Sequence, residues 1–192
     1  MKIGILALQG AVEPHKKKLE QLGAKVIEVR TPQDLDGLHG IILPGGESTT
    51  FIHLLHLNSL WEPLKKFASE RPTWGVCAGA ILLAKKVSHP AQESLGLMDI
   101  SIERNAFGRQ VDSFIDLLVP TADIWQPMEG VFIRAPRVRE VGPGIRINFT
   151  WKDEPVMLEA GNLVVTTFHP ELTEDHQIHQ YFLQRCRLPS AT

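Results

Sequence analysis

Residues 73–81 read Thr73-Trp74-Gly75-Val76-Cys77-Ala78-Gly79-Ala80-Ile81, an apolar strand that turns into an apolar helix at a cysteine. This is the cysteine version of the Gly-x-Ser-x-Gly elbow, which presents a nucleophile on a sharp turn. The backbone of such a turn is strained, so the residues two places before and after the nucleophile must be small. Gly75 and Gly79 satisfy that demand, and the positive end of the following helix favours a thiolate at Cys77.

Apolar runs and amphipathic stretches alternate on both sides of this turn through the first half of the chain. Such alternation is typical of βαβ units in a mostly parallel sheet. The predicted strands are Ile3–Leu8, Lys25–Val29, Gly40–Leu43 and Thr73–Val76. The predicted helices cover residues 12–22, Ser48–Leu57 with Ser48 as N-cap, Trp61–Ser69, and the segment after Cys77.

The second half changes to short alternating segments, which predict a partly antiparallel extension of the sheet. These segments are Asp99–Glu103, Val111–Val119, Val131–Arg134, Val156–Glu159 and Leu163–Phe168. A last helix is predicted after Thr173 as N-cap, with Ile178, Tyr181, Phe182 and Cys186 on one face. No repeat or linker interrupts the chain. We therefore predict one α/β domain over residues 1–192, with a mostly parallel central sheet flanked by helices.

Composition excludes several classes of protein. The 192 residues are 43% hydrophobic, enough for a core on two faces of a sheet, and 20 Lys+Arg against 22 Asp+Glu give a net charge of -2. That balance argues against binding to nucleic acid or an anionic membrane. The longest apolar run, Gly75–Ala84, is far shorter than the roughly 18 residues of a membrane span. Two distant cysteines and no signal-peptide pattern predict a cytoplasmic protein.

A thiol nucleophile needs a base, and the base needs a partner that fixes its tautomer. Phe168-His169-Pro170-Glu171 supplies both at the end of a strand. Residues two apart in an extended chain point to the same side, so the Glu171 carboxylate is expected to reach the His169 ring. We predict a Cys77-His169-Glu171 triad; the competing interpretation of Cys77 is a small buried apolar residue. Cys186, without such neighbours, is predicted to lie in the core.

Leu43-Pro44-Gly45-Gly46-Glu47-Ser48 follows a predicted strand at the sheet edge where open α/β folds bind ligands. The glycine pair lets a backbone N–H face a bound carbonyl oxygen, so Gly46 and Ala78 are predicted to form an oxyanion hole. A plain turn before a helix is the alternative. No Gly-Lys-Ser/Thr follows, which excludes a phosphate loop. His53/His56 and His176/His179 have metal-compatible spacing without a further ligand, so we predict no metal and no cofactor.

These three motifs resemble, in the same chain order, the class I (triad) glutamine amidotransferases, whose fold is flavodoxin-like. Further segments are similar to the glutaminase subunits of pyridoxal 5'-phosphate synthase, and the resemblance covers nearly the whole chain. The further segments that carry this similarity are Leu8–Val12, Glu103–Gln110, Val131–Pro136 and Phe168–Thr173. Val76 and Ala80 depart from that family, which usually has threonine before the nucleophile and leucine three places after it.

The resemblance implies hydrolysis of L-glutamine to glutamate and ammonia, with the ammonia passed to a partner synthase subunit in a hetero-oligomeric complex. Cys77 would attack the amide carbon, His169 would move protons and Glu171 would orient His169. It also places the turn at Gln9 and Gly10 near the partner. The implied glutamine contacts are Gly46, Glu47, Ser48, Arg104, Ile133 and Arg134; a guanidinium suits the planar α-carboxylate.

Two alternatives remain from the sequence. One is another triad amidotransferase subunit, such as one serving histidine biosynthesis. The other is a regulatory module that keeps the fold without catalysis, although Cys77, His169 and Glu171 are all present.

Overall fold

The computed structural model describes residues 1–106 and 113–187, and a long twisted sheet runs through it. Half of this sheet is parallel, in the order β2-β1-β3-β4-β12. These strands are β1 (Lys2–Leu6), β2 (Lys25–Val29), β3 (Gly40–Leu43), β4 (Thr73–Val76) and β12 (Leu163–Thr166). The last three are buried along their whole length because helices cover both faces, which is why they are uninterrupted apolar runs.

Antiparallel strands continue the sheet from β12 in the order β11-β10-β7-β8. They are β7 (Ser113–Pro120), β8 (Met128–Ile133), β10 (Arg146–Trp151) and β11 (Glu154–Ala160). The predicted α/β class with an antiparallel extension is confirmed. In the described ranges this extension supplies four of the nine strands. The strand β10 was not predicted, and the segment Leu163–Phe168, predicted in the extension, instead contains β12, which pairs in parallel with β4. The predicted start at Val111 lies outside the described residues.

Helices cover the sheet on two sides, each over its own hydrophobic cluster. On one side lie α2 (Ser48–Leu57), α3 (Trp61–Glu70) and α4 (Ala78–Leu83), and on the other α1 (Val12–Gln21) and α5 (Gln177–Arg185). Short 3₁₀ helices occur at Pro32–Leu35 and Pro170–Leu172. Among the described residues, no helix combines the length and apolar character that crossing a membrane requires.

A second, three-stranded sheet corrects one sequence prediction. It consists of β5 (Ala84–Ser88), β6 (Met98–Glu103) and β9 (Arg137–Val141). The segment Asp99–Glu103, predicted to extend the main sheet, pairs here instead. We did not predict β5, because the exposed Lys85 and Lys86 follow the apolar helix without a turn signal and hide the strand.

Both predicted N-caps were wrong. Glu47, not Ser48, caps α2, and its carboxylate accepts the backbone N–H groups of Thr49 and Thr50. Thr173 lies too early for α5, which begins at Gln177, and its hydroxyl donates to the Pro170 carbonyl at 3.2 Å. Glu47 replaces Ser48 as the N-cap of α2 because its carboxylate reaches two backbone N–H groups at once.

Candidate active site

Cys77 sits on the strained turn that the glycine pattern predicted. Its φ of 50° and ψ of −101° are rare for a residue with a side chain. A Cβ on Gly75 would come within 2.5 Å of the Gly79 carbonyl oxygen, and a Cβ on Gly79 would overlap the Leu43 carbonyl. The prediction that both positions must be small is confirmed. The turn is anchored by the Cys77 N–H, which donates to the Thr166 carbonyl at 2.8 Å.

The histidine follows β12, the strand next to the one that carries the cysteine. The His169 backbone N–H donates to the Val131 carbonyl of β8 at 2.8 Å, which fixes the residue between two strands. Its ring Nδ1 lies 2.7 Å from Oε1 of Glu171, and the ring and Cys77 line the same cleft. Since Nδ1 faces the carboxylate, Nε2 is the atom that serves the thiol. The three side chains therefore lie together, with Glu171 hydrogen-bonded to His169 and Cys77 beside His169 in the cleft.

Glu171 reaches His169 by a different backbone route from the one predicted. The two residues do not lie on an extended strand: His169 precedes the 3₁₀ helix Pro170–Leu172, which turns the carboxylate back under the ring. Proline fits the first position of that turn because its N–H is not needed there. The contact itself is confirmed.

Burial and hydrogen bonding compete in setting the charges of this chain. Burial disfavours the imidazolium, but the hydrogen bonds to Cys77 and Glu171 outweigh it and raise the pKa of His169 to about 10. Burial likewise disfavours the Glu171 carboxylate, yet His15 and His169 lower its pKa. A charged pair at His169 and Glu171 follows near neutral pH.

A cleft of about 470 Å³ opens above Cys77. Every predicted site residue lines it except Glu171, which lies behind His169. The lining includes Gly46, Glu47, Ser48, Cys77, Ala78, Arg104, Ile133, Arg134 and His169. The motif positions 107–110 lie outside the described residues. Val76 and Ala80, which depart from the family pattern, are fully buried and do not reach the cleft.

One guanidinium nitrogen of Arg104 is paired with a carboxylate, and a second has no hydrogen-bond partner among the described residues. Its Nη2 lies 3.3 Å from Oε1 of Glu47, whereas Nη1 is buried with no hydrogen-bond partner in the described part of the chain. Burial raises the pKa of Glu47, but hydrogen bonds from Thr49 and Thr50 prevail and lower it to about 2. The Glu47 carboxylate is thus a helix cap and an arginine partner. Nη1 is the atom left for an anionic ligand.

The turn at Gly45 and Gly46 is hydrogen-bonded to the loop between β1 and α1. The Ala11 N–H donates to the Gly45 carbonyl at 3.0 Å, so the Gly46 N–H of the same peptide points the opposite way. The Gln9 side chain makes two hydrogen bonds to the backbone of Glu47. Its Nε2 donates to the Glu47 carbonyl at 2.8 Å, and its Oε1 accepts from the Glu47 N–H at 3.3 Å. The sequence did not place Gln9 in the cleft; a polar side chain at the carboxyl end of β1 was the available signal.

Each histidine pair considered as a metal site has a member engaged with another partner. His56 lies 2.9 Å from a Glu93 carboxylate oxygen at the surface, and His179 is buried against His15. Within residues 1–106 and 113–187, no three His, Cys, Asp or Glu side chains are grouped to hold a metal ion.

The fold and the site together define a class of protein. A cysteine elbow, a histidine–glutamate pair at the end of the adjacent strand and a glycine turn facing both are typical of class I glutamine amidotransferases. The chain belongs to the SNO glutamine amidotransferase family, whose model matches residues 5–188.

Individual relatives are more specific than the family model. The chain is 52% identical over 189 residues to pyridoxal 5'-phosphate synthase subunit PdxT of Deinococcus radiodurans, covering 95% of this chain and 96% of that protein. It is 46% identical to the same subunit of Koribacter versatilis, with 97% and 96% covered. A crystal structure of a glutamine amidotransferase superimposes with a TM-score of 0.90 at 42% identity, over 97% of this chain and 99% of that one. The predicted family and the predicted glutaminase are confirmed.

Proposed function

We propose that this chain is the glutaminase subunit of a pyridoxal 5'-phosphate synthase, hydrolysing L-glutamine through Cys77 and supplying ammonia to a synthase subunit. The observation that carries the proposal is the meeting of Cys77 and His169 in one cleft, with His169 hydrogen-bonded to the buried Glu171. The matches to synthase subunits along nearly the whole chain support this function over the alternative of histidine biosynthesis.

The first half of the reaction forms a thioester. The Cys77 thiolate attacks the side-chain amide carbon of glutamine, and the negative charge moves to the amide oxygen. His169 then gives its Nε2 proton to the amide nitrogen, the C–N bond breaks and ammonia leaves. The raised pKa of His169, about 10, suits it to hold that proton near neutral pH until the nitrogen takes it.

The second half releases glutamate. With its proton gone, His169 accepts one from water, which attacks the thioester carbon while the C–S bond breaks and the thiolate is restored. Glu171 holds the ring in place and offsets its positive charge. Gly46 and Ala78 N–H groups are proposed to stabilise the oxyanion of both steps; losing one such donor typically costs about 10²–10³ in kcat.

Glutamine is oriented by its α-carboxylate. Nη1 of Arg104 is a buried donor in the cleft with no partner among the described residues, and Arg134, which also lines the cleft, is exposed. We assign the α-carboxylate to these two side chains. Ile133 borders the aliphatic part of the substrate. Because the Glu47 carboxylate caps α2 and the Ser48 hydroxyl donates to Gln92 at 3.0 Å, these residues contribute through their backbone.

The proposal also includes the partner subunit, the cellular compartment and the domain organisation. A hetero-oligomeric complex with the synthase subunit would shelter the ammonia from protonation in water. The two unpaired cysteines fit a reducing cytoplasm. One domain over residues 1–192 is supported by two hydrophobic clusters that share a single sheet.

The test is glutamate release from glutamine while the cognate synthase subunit is titrated in. We expect turnover that rises with the synthase and saturates, and no turnover from Cys77→Ala at any ratio. Unchanged hydrolysis by Cys77→Ala would refute the nucleophile, and a wild-type rate indifferent to the synthase would refute the partnership.

A further inference from the structure

The Glu171 carboxylate has a second oxygen that His169 does not use. Oε1 faces His169, whereas Oε2 is buried and lies 3.5 Å from Nε2 of His15 on α1. Both the His15 and Glu171 side chains are completely buried. A buried carboxylate oxygen without a donor is costly, so this neighbour matters to the charge that the triad depends on.

His15 has its own buried partner on a third element. Its Nδ1 lies 3.0 Å from Nε2 of His179 on α5. Burial lowers the pKa of both rings, so each is neutral near pH 7 and carries one N–H. A chain of three groups therefore runs from Glu171 through His15 to His179.

The positions of the protons follow from the carboxylate. If the Nδ1 of His15 carried the proton, its Nε2 lone pair would face the negative Oε2 and repel it. The favoured order puts N–H on Nε2 of both rings, so that His179 donates to His15 and His15 donates to Glu171.

We propose that His15 is a positioning residue of the proposed triad: its Nε2–H fixes Oε2 of Glu171, and His179 selects the tautomer of His15 that can do so. At 3.5 Å these two atoms, Nε2 of His15 and Oε2 of Glu171, lie beyond ordinary hydrogen-bond distance and neither has another partner among the described residues, so the bond forms when the site tightens on substrate, as catalytic contacts often do. Once that bond has formed, each oxygen of the Glu171 carboxylate has a donor, which holds the carboxylate in place and keeps the His169 ring aimed at Cys77.

Packing holds the pair in this place. Trp74 of β4, three residues before the nucleophile, sets its ring edgewise against both histidines, with centroids 5.4 Å from His15 and 4.9 Å from His179. On α1, one turn after His15, the buried Lys18 donates from Nζ to the Pro170 carbonyl at 2.9 Å. Helix α1 therefore contacts the turn that carries Glu171 at two points, through His15 and through Lys18.

Matched amide variants separate positioning from packing. His15→Gln places an amide N–H near the position of Nε2, facing Glu171, whereas His15→Asn places it near Nδ1, facing His179. We expect His15→Asn to lose about 10–100-fold in kcat with a smaller change in KM, because the donor to Glu171 is removed while the glutamine contacts stay. His15→Gln should recover most of that loss, and the exposed His53→Leu should match wild type.

The pH profile gives a second readout. The titratable groups facing Glu171 are His169, His15 and Lys18, and His179 lies behind His15. Without the His15 donor the Glu171 anion is less favoured, so the acid limb of kcat/KM should move to higher pH in His15→Asn and stay in place in His15→Gln.

The inference depends on the proposed triad, and the two fail differently. An inactive wild type, or an active Cys77→Ala, would remove the triad itself. An active wild type with equal kcat and equal pH limbs in His15→Asn and His15→Gln would overturn the positioning role alone. If neither variant folds, His179→Asn, which offers no donor to Nδ1 of His15, must lower kcat; wild-type kcat would overturn the tautomer argument.

Discussion

The two cysteines of this protein are almost equally hidden from solvent, yet their surroundings have opposite chemistry. Cys77 is 7% exposed and Cys186 6%. The first lies on a strained turn at the floor of a cleft that His169 also lines. The second ends α5 in the core, where burial raises its pKa to about 12 and Arg185 offsets only part of that rise. Accessible area therefore does not separate a nucleophile from a core residue; hydrogen bonding and backbone geometry do.

The largest expected effect is on turnover. Cys77→Ala should reduce glutamate release by about 10⁴-fold or more, because a triad without its nucleophile loses nearly all its advantage. Cys186→Ala should leave kcat within about twofold and cost about 1 kcal/mol of stability. Steady-state kinetics and denaturant unfolding of both variants check this. Comparable loss of turnover in the two would erase the distinction.

Each cysteine also has a glycine that its surroundings require, and the two should differ in cost. Gly79→Ala drives a Cβ into the Leu43 backbone, so we expect a loss of about 3 kcal/mol or no folding. Gly40→Ala brings a Cβ against the Cys186 sulfur and the Pro72 carbonyl, so Cys186→Ala in the same chain should recover only part of the loss, about 1 kcal/mol. Unfolding of the double mutant measures this coupling; strict additivity would contradict the assigned contact.

A third prediction concerns the substrate side of the Cys77 cleft, which has no counterpart at Cys186. Arg104→Gln removes the unpartnered Nη1, so KM for glutamine should rise about 10–100-fold while kcat changes less, since the α-carboxylate does not react. Arg139→Gln, a surface arginine paired with Glu103 away from the cleft, is the control. An unchanged KM in Arg104→Gln would place the carboxylate elsewhere.

A fourth prediction concerns the stability of the fold as pH changes. The pKa of His169 is about 10 in the folded protein against an ordinary 6.5, so between these values the folded state keeps a proton that the unfolded state has released. Its stabilisation is complete below about 6.5 and is lost as pH rises towards 10, with a slope of at most about 1.4 kcal/mol per pH unit. Urea unfolding at several pH values should show a shallower decline in His169→Ala. Parallel declines would contradict the raised pKa.

Local patterns made much of this molecule predictable. The buried strands β3, β4 and β12 are continuous apolar runs, and the elbow depends on residues within a few positions of Cys77. The same is true of His169 and Glu171, whose contact spans two residues. Their pairing with Cys77 could be inferred because nucleophile, base and acid have complementary chemistry.

What the sequence did not show depends on distant partners. The strand β5 exposes Lys85 and Lys86 and is recognisable only through its pairing with β6. His15 falls on the apolar face of α1, where its spacing predicts burial in the core. Only the packing of α1 against the turn at Glu171 shows that it faces a carboxylate.

The most direct test of the account is to treat the wild-type complex with an electrophilic glutamine analogue and map the modified peptide by mass spectrometry. We predict one adduct, on Cys77, that excess glutamine prevents and that His169→Ala slows sharply. Modification of Cys186 instead, or labelling of Cys77 that ignores both glutamine and His169, would contradict a cysteine nucleophile activated within this cleft.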